Sequence, residues 1–499
     1  MNRLNATTLS MLRHAVARPD YDPAAVRTGI VHLGLGAFHR AHQAVCTQRV
    51  LRDDPRWGIA GVSLRQASTR DALAPQDGLY TLAVRDGGGE ALEVIGALRG
   101  LHVAAEDPAG LVALLAAPDI RIVSLTVTEK GYCRDAASGA LDPADPAIRR
   151  DLEAPDRPGS APGLIVAALA ARRAAGLRPF TVLCCDNLPH NGQAVRRVLA
   201  DYARLSAPAL AGFIENELAC PSGMVDRIVP ATTVEDRARI GRALGLDDAW
   251  PVVTEPFLQW IVEDHFPLGR PAWEAAGVQF VADVAPFERM KLRLLNGSHS
   301  SIAYLGQLAG HATVADAMQD GALVAHIERL MGDELAPTLH MPPGTDLAAY
   351  QRALLARFRN PALRHATAQI AMDGSQKLPQ RLLEAARERL RQGLPVPRIA
   401  LGVAAWMRFL AGRSDSGAVL TPSDPLAGRL TALARGAATP AAQVAALLGV
   451  AEVFGTDLPG HPGFRQVLTH AAEMLAAAGV ARTLQDWPTD SANKKRQGG

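Results

Sequence analysis

The pattern of apolar positions changes near the middle of the chain. In the first half, short runs rich in β-branched residues alternate with longer runs rich in alanine and leucine. Apolar runs without internal alternation, separated by helical stretches, are typical of a parallel sheet covered on both faces. The predicted strands are 29–33, 59–64, 120–126, 180–185 and 210–215, the predicted helices between them include 164–175 and 192–205, and 81–94 is predicted to form a hairpin around its glycine triplet.

Beyond about residue 286 no strand pattern remains, and apolar residues recur with helical spacing. The clearest helical stretches are 290–305, 323–331, 378–391 and 444–453. The sequence therefore predicts an α/β domain over 1–285, followed by a mostly α-helical domain over 286–499.

Composition and charge exclude several classes of protein. With 52 basic and 50 acidic side chains in 499 residues, the chain lacks the field that attracts nucleic acid or an anionic membrane. Its five cysteines never form a C-x-x-C pair, which argues against a disulfide scaffold and a zinc ribbon. We see neither a signal peptide nor an apolar run long enough to span a membrane. We therefore expect a cytoplasmic protein without nucleic-acid or membrane partners.

A glycine pair directly follows the first predicted strand. Gly34 and Gly36 would let the backbone turn sharply and bring its N–H groups close to a pyrophosphate. His39 stands where a third glycine would complete the dinucleotide motif, so a strand–helix turn without a ligand is the alternative interpretation. No carboxylate occurs in residues 65–70, directly after the second strand, where Arg65 and Arg70 would tolerate a 2′-phosphate. NAD and NADP therefore both remain open.

Two polar clusters carry candidate chemistry. On an ideal α-helix His299 lies about 80° and Asn296 about 140° from Lys291, so the three share one broad face. A lysine with a lowered pKa can act as a general base, and an amide N–H can stabilise an alkoxide. The alternative is a solvated helix face that ends at Asn296 and Gly297. The second cluster, 184–192, places Asn187 after a buried strand, where it is either a second amide donor or part of a helix-capping turn.

Eight ordered segments together resemble the long-chain polyol dehydrogenase family, which includes mannitol 2-dehydrogenase, arabinitol dehydrogenase and fructuronate reductase. These segments are GLGAFHRAHQ (34–43), GVSLR (61–65), TVTEKGY (126–132), CDNLPHNG (185–192), ENELACPSGMVDRIVP (215–230), TEPFLQWIVED (254–264), KLRLLNGSHS (291–300) and MDGSQKLPQR (372–381). The resemblance implies a Rossmann-type, doubly wound N-terminal domain and a mostly α-helical C-terminal domain. It also implies a monomer.

The resemblance assigns roles to particular residues. Lys291 would be the general base, Asn187 and Asn296 the oxyanion hole, His299 a substrate-binding and lysine-positioning group, Glu129 part of the proton path, and Asp226 and Lys377 substrate-binding residues. We assign cofactor binding, with NAD expected and NADP possible, to Gly34, Gly36, Ala37, Phe38 and Arg65. No metal is expected, because the lysine would replace the zinc of other alcohol dehydrogenases.

The sequence thus predicts a metal-independent NAD(P)-dependent oxidoreductase that interconverts a linear polyol and its 2-ketose, of the mannitol/fructose or arabinitol/xylulose type. A hexuronate reductase that makes an aldonate such as mannonate is the alternative, with Lys377 or Arg381 to bind the substrate carboxylate. The mannitol enzymes carry an arginine where this chain has Gln369, so mannitol recognition would differ. A non-catalytic dinucleotide-binding protein is a third hypothesis. The presence of Lys291, Asn296 and His299 together disfavours it, because binding alone requires no base.

Overall fold

The structure, a computed structural model, describes residues 1–135 and 138–487. The chain divides into two compact units, Met1–Ala285 and Pro286–Gly499.

The first unit is built on a parallel sheet. Its strands are β1 (Thr28–Leu33), β2 (Gly58–Ser63), β3 (Tyr80–Asp86), β4 (Gly89–Ile95), β5 (Leu98–Val103), β6 (Ile122–Leu125), β7 (Thr181–Cys184), β8 (Gly223–Asp226), β9 (Val252–Thr254), β10 (Gln259–Glu263) and β11 (Gln279–Val281). Five of them form an all-parallel sheet in the order β5-β2-β1-β6-β7. The strand order reverses between β1 and β6, as in a Rossmann-type doubly wound fold, and ligands of such sheets bind at that switch point.

Apolar side chains cover both faces of this sheet. Val31 and Leu33 of β1 pack into one buried cluster, and Ile30 packs into another on the opposite face. Alternate residues of a strand point to opposite faces, so a strand buried on both sides needs a continuous apolar run. The predicted α/β class of this half is confirmed.

Helices connect the strands. The α-helices of this unit are α1 (Ala37–Ala41), α2 (Gln43–Gln48), α3 (Ser68–Leu73), α4 (Pro108–Ala116), α5 (Thr128–Gly131), α6 (Pro146–Glu153), α7 (Ala161–Ala174), α8 (Asn191–Ser206), α9 (Pro208–Glu217) and α10 (Val234–Leu244), with 3₁₀ turns at Ala6–Met11, Pro23–Ala25, Pro55–Trp57, Ala74–Gln76 and Trp273–Ala276. The predicted strand at 210–215 is wrong, because this segment lies inside α9. Pro208 occupies the first turn, and Leu210 and Ile214, four residues apart, are both buried on one helix face.

Two small sheets complete the first unit. The predicted hairpin is confirmed, since β3 and β4 pair antiparallel on either side of Gly87 and Gly88, and β9 joins β3 in parallel. In the other sheet β10 pairs antiparallel with β8 and parallel with β11.

The second unit is mostly helical, as predicted, and no strand occurs in it through residue 487. It contains α11 (Ala285–Met290), α12 (Ser298–Ala309), α13 (Val314–Ala317), α14 (Gly321–Arg329), α15 (Leu347–Phe358), α16 (Thr367–Ile370), α17 (Gly374–Leu378), α18 (Glu384–Arg391), α19 (Pro397–Leu410), α20 (Ala427–Gly436), α21 (Pro440–Leu448), α22 (Ala451–Phe454) and α23 (Pro462–Asp486), with 3₁₀ turns at Ala336–Thr338 and Leu458–Gly460. Three π-helical segments lie at Lys291–Gly297, Leu330–Leu335 and Pro379–Leu383. The predicted single helix over 444–453 is wrong, because Val450 takes an extended conformation that separates α21 from α22.

All five cysteines are buried and unpaired. Among the described residues, no helix has the length and apolar character that crossing a membrane requires.

Candidate active site

The glycine turn lies at the carboxyl end of β1, next to the switch point of the sheet. Gly34 has φ +100°, and a Cβ atom there would overlap the carbonyl oxygen of Thr126 at the end of β6. Around Gly36, in contrast, a Cβ atom would find nothing closer than the Gly34 oxygen at 3.8 Å. The fold itself therefore requires glycine at position 34, while position 36 leaves open the space that a pyrophosphate needs. Ala37 and Phe38, half-buried, begin the helix that follows.

A buried polar network supports this turn. The ring of His39, at the position of the missing third glycine, stacks on the ring of His32 with centroids 3.5 Å apart. His32 in turn hydrogen-bonds with the hydroxyls of Ser124 and Thr126, each at 2.8 Å. Burial lowers the pKa of His32 to about 3, so this imidazole is neutral. The stacked rings fill the space that a third glycine would leave for close helix–strand packing. The sequence did not indicate that His39 would stack on His32.

The end of β2 differs from the prediction in one respect. Arg65 is exposed there, as a cofactor-binding residue could be. Arg70, however, forms ion pairs with Asp71 (2.8 Å) and with Glu106, which follows β5. Two carboxylates therefore lie near this edge of the sheet. Asp71 follows Arg70 directly in the sequence, whereas Glu106 comes from the segment after the neighbouring strand β5, where a search along the β2 segment could not find it.

Glu129 lies on a short turn after β6, and the carboxylate of Asp186 holds that turn. Asp186, which follows β7, accepts hydrogen bonds from the backbone N–H of Val127 (2.9 Å) and Thr128 (3.2 Å) and from the Tyr132 hydroxyl (2.7 Å). Glu129 itself is exposed. Burial raises the pKa of Asp186, and three donors bind this half-buried carboxylate. Asp186 therefore fixes the backbone on which Glu129 is carried.

Asn191 joins the Asn187 segment to the strand that ends at Asp226. Its amide nitrogen donates to the carbonyl of Gly223 (2.6 Å) and its amide oxygen accepts from the Gly223 N–H (2.9 Å). The same nitrogen also reaches the carbonyls of Cys184 (3.3 Å) and Asp186 (3.2 Å). The sequence does not indicate this role of Asn191, although Asn191 lies in the polar cluster 184–192, because its partner strand β8 is distant in the sequence.

We expect Asn191→Ala to destabilise the first unit. Removing the amide would leave both buried Gly223 backbone groups without a side-chain partner, at a cost of about 1–3 kcal/mol. Thermal or urea unfolding of the purified chain would measure this. Asn216→Ala is the matched control, since the amide of Asn216 makes an exposed bond to the Gly212 carbonyl (2.8 Å). Equal stability of the two variants would contradict the bridging role of Asn191.

In the second unit, Lys291 and Asn296 lie on a π-helical segment, Lys291–Gly297. The predicted 140° separation is therefore wrong, because it assumed α-helical spacing. A π-helix closes its hydrogen bonds between residues i and i+5, so Lys291 and Asn296 are about one turn apart. The helix also does not end at Asn296–Gly297: Gly297 is helical (φ −64°, ψ −46°), and α12 continues from Ser298.

Two tertiary contacts surround this segment. The buried Arg293 guanidinium forms a bidentate pair with Glu388 of α18, at 2.5 and 2.7 Å, and also donates to the carbonyl of Thr338 at 2.9 Å. A Cβ atom at Gly297 would lie 2.9 Å from the backbone oxygen of Arg381, in the π-segment Pro379–Leu383. Gly297 is thus required for the close approach of two π-helical segments.

His299 lies in the first turn of α12 and is buried. Its ring centroid is 4.7 Å from that of Phe358 and 5.3 Å from that of His365. Burial, followed by the neighbouring side chains of His365, Arg357 and Arg381, lowers the pKa of His299 well below its usual range. A neutral imidazole in this setting can accept or donate a hydrogen bond without adding charge.

Lys377 lies on α17 and is close to another cation. Its ammonium group makes a long contact with the Ile370 carbonyl at 3.4 Å. Burial lowers the pKa of Lys377, and Arg381 lowers it further.

Each unit therefore gathers part of the predicted residue set. In the first unit, the segments of Gly34–Phe38, Arg65, Glu129 and Asn187 all follow strands of the parallel sheet at its carboxyl edge, and Asn191 attaches the Asp226 strand to them. In the second unit, Lys291, Asn296 and His299 occupy one continuous helical run. No group of three or more histidine, cysteine or carboxylate side chains with metal-binding geometry occurs in the part of the chain that the structure describes.

The first unit has a doubly wound sheet with a glycine turn at its switch point, and the second carries a lysine, an amide and an imidazole on one helical run. These features are typical of dinucleotide-dependent oxidoreductases. The chain belongs to the mannitol dehydrogenase family. The family's Rossmann-domain model matches residues 28–275, and its C-terminal-domain model matches residues 283–476. The resemblance inferred from the eight sequence segments is confirmed.

Named relatives match almost the whole chain. A D-mannonate oxidoreductase of Escherichia coli is 46% identical over 482 residues, which is 95% of this chain and 98% of the relative. The structure of Pseudomonas fluorescens mannitol 2-dehydrogenase, a ternary complex with NAD and D-mannitol, is 41% identical with a TM-score of 0.82, covering 97% of this chain and 99% of that one. A D-sorbitol dehydrogenase in substrate-free form is 35% identical with a TM-score of 0.92, covering 97% and 100%.

Proposed function

We propose that the protein is an NAD-dependent dehydrogenase that oxidises a secondary alcohol of an open-chain polyol to the 2-ketose and catalyses the reverse reduction, with Lys291 as general base. The π-helical segment Lys291–Gly297 is the observation that best supports this proposal. In it Lys291 and Asn296 are about one turn apart, and His299 follows in the first turn of the next helix. A base beside an oxyanion donor is the arrangement that alcohol oxidation needs.

The first unit would hold the cofactor at the glycine turn. The open space at Gly36 fits a pyrophosphate against the start of the helix at Ala37 and Phe38, and the exposed Arg65 would reach the adenosine ribose. The NAD in the related Pseudomonas fluorescens complex supports this cofactor. When bound, the nicotinamide supplies the hydride acceptor, so this chain's residues need only orient the alcohol and remove its proton.

The remaining residues would manage the alcohol oxygen and its proton. The amine of Lys291 would take the hydroxyl proton, while the amides of Asn187 and Asn296 donate to the oxygen as negative charge develops on it. Neutral His299 would bind the substrate hydroxyl and orient the lysine. Glu129, exposed on its turn, would pass the proton to solvent, and Asp226 and Lys377 would bind other substrate hydroxyls.

A sugar acid is the second candidate substrate, and one observation favours it. Burial and, after it, the neighbouring Arg381 lower the pKa of Lys377, while Asp373 and Asp424 oppose this shift. A substrate carboxylate would relieve the repulsion between the two cations. The D-mannonate oxidoreductase relative is consistent with this alternative. Lys377 is then the group that we expect to contact the carboxylate.

A substrate panel tests both candidates. Polyols, 2-ketoses, aldonates and hexuronates would be assayed with NAD(H) and NADP(H), for the wild type and for Lys377→Met. The proposal expects NAD-dependent turnover of a polyol and its ketose. A higher kcat/KM for mannonate and fructuronate, lost selectively in Lys377→Met, would establish the sugar acid instead. Turnover of none of these compounds would contradict the proposed function.

A further inference from the structure

Arg381 connects the two π-helical segments of the second unit that meet at Gly297. It lies in Pro379–Leu383, and its guanidinium Nη1 donates to the Ser300 hydroxyl at 3.2 Å and makes a longer contact with the Asn296 carbonyl at 3.5 Å. Its own backbone oxygen is the atom that excludes a side chain at Gly297. One residue therefore contacts the end of the Lys291–Gly297 segment, at Asn296, and the beginning of α12, at Ser300.

External contacts surround this π-helical segment, whose geometry is rare in proteins. Its hydrogen bonds skip one residue more than those of an α-helix, and π-helices persist mostly as single turns. Here Arg293 and Glu388 hold the middle of the turn, while Arg381 contacts its end, at the carbonyl of Asn296 itself. A relaxation of this end to α-helical spacing would move Asn296 and Lys291 from about one turn apart to about 140° apart.

The surroundings of the Arg381 guanidinium fit this role better than a surface ion pair does. Arg381 is half-buried, burial lowers its pKa to about 10, and the described residues place no carboxylate in an ion pair with it. Partial burial of a guanidinium without a carboxylate partner costs free energy. Within this unit the contacts of Arg381 with the Asn296 carbonyl and the Ser300 hydroxyl offset part of that cost.

We propose that Arg381 is a positioning residue, which keeps Lys291 and Asn296 about one turn apart by holding the Asn296 carbonyl and the Ser300 hydroxyl. This inference rests on the proposed function of Lys291, and it assigns Arg381 no contact with the substrate.

Steady-state kinetics of Arg381→Met, Arg381→Lys and Ser300→Ala, each alone and combined with Lys291→Ala, would test the proposal. We expect Arg381→Met to lower kcat about 10- to 100-fold with KM changed less than about threefold, since small misplacements of reacting groups cost rates of this order. Arg381→Lys should recover part of the loss, and Ser300→Ala should lower kcat by a smaller factor. In the Lys291→Ala background, Arg381→Met should lower kcat by a smaller factor than in the wild type, because the spacing that it maintains is the one between Asn296 and the lysine. Arg391→Met, an exposed arginine at the end of α18, is the control and should behave as the wild type.

The outcomes separate this inference from the proposed function. If Arg381→Met raises KM for a sugar acid while kcat is unchanged, Arg381 binds substrate and the positioning role is overturned. Equal kcat losses from Arg381→Met with and without Lys291 would also overturn it. If Arg381→Met does not fold, unchanged kinetics of Ser300→Ala and Arg381→Lys would count against the proposal. Wild-type activity of Lys291→Ala would instead refute the proposed function, whatever the Arg381 variants do.

Discussion

Lys291→Ala is expected to lower kcat by about 10²- to 10⁴-fold, the usual contribution of a general base, while NADH still binds. The amine is the only proton acceptor that the proposal provides for the substrate hydroxyl, whereas the glycine turn belongs to the other unit of the chain. Stopped-flow or steady-state turnover would measure kcat, and NADH fluorescence titration would measure cofactor affinity.

Arg289→Ala is the matched control for this variant. Arg289 is an exposed cation two residues before Lys291, at the end of α11. We expect its turnover to remain close to that of the wild type. A similar loss in both variants would indicate a general charge effect, and a wild-type kcat in Lys291→Ala would refute the role of the lysine.

Glu388→Gln is expected to cost the second unit about 1–3 kcal/mol of unfolding free energy, because it leaves the buried Arg293 guanidinium without its half-buried carboxylate partner. Arg293 is nearly inaccessible to solvent (1% exposed), and both oxygens of Glu388 bind its guanidinium. Urea unfolding at neutral pH would measure the loss. Glu384→Gln, an exposed carboxylate on the same helix, should change stability by less than about 0.5 kcal/mol.

The cost of Glu388→Gln should also depend on pH. The Arg293 guanidinium holds the pKa of Glu388 below its ordinary value of 4.5. A carboxyl whose pKa is lower in the folded state stabilises that state above its unfolded pKa and loses the contribution as pH falls through the folded pKa. The difference between wild type and Glu388→Gln should therefore be constant above about pH 5 and shrink at lower pH. A constant difference down to pH 3 would contradict the assigned ion pair.

The sequence predicts the layers of this fold well because burial on both faces leaves a direct trace in the apolar pattern. The strands around Val31, Val123 and Val182 are mostly apolar runs, which His32 interrupts in β1 and Ser124 in β6, and the structure places all three in the central sheet. The pattern misled us at 210–215, where a short apolar run of a helix resembles a strand. Periodicity alone does not distinguish the two.

The candidate site was less predictable where its geometry depends on distant partners. The π-turn of Lys291–Gly297 has no local sequence pattern that we recognised, since it depends on contacts with Glu388 and Arg381, about 90 residues away. Asn191 likewise acquires its role from Gly223 in another strand. The sequence motifs show which residue types are present for the chemistry. The contacts that orient these residues come from distant parts of the chain, so the motifs do not show them.

The most direct test of the central claim is the pH dependence of single-turnover hydride transfer from the alcohol to NAD, compared between wild type and Lys291→Ala. We expect the wild-type rate of hydride transfer to rise about tenfold per pH unit and then to reach a plateau as the base loses its proton. In Lys291→Ala the rate should be far lower and should keep rising with hydroxide, without that plateau. Superimposable profiles for the two proteins would contradict the assignment of Lys291 as the base.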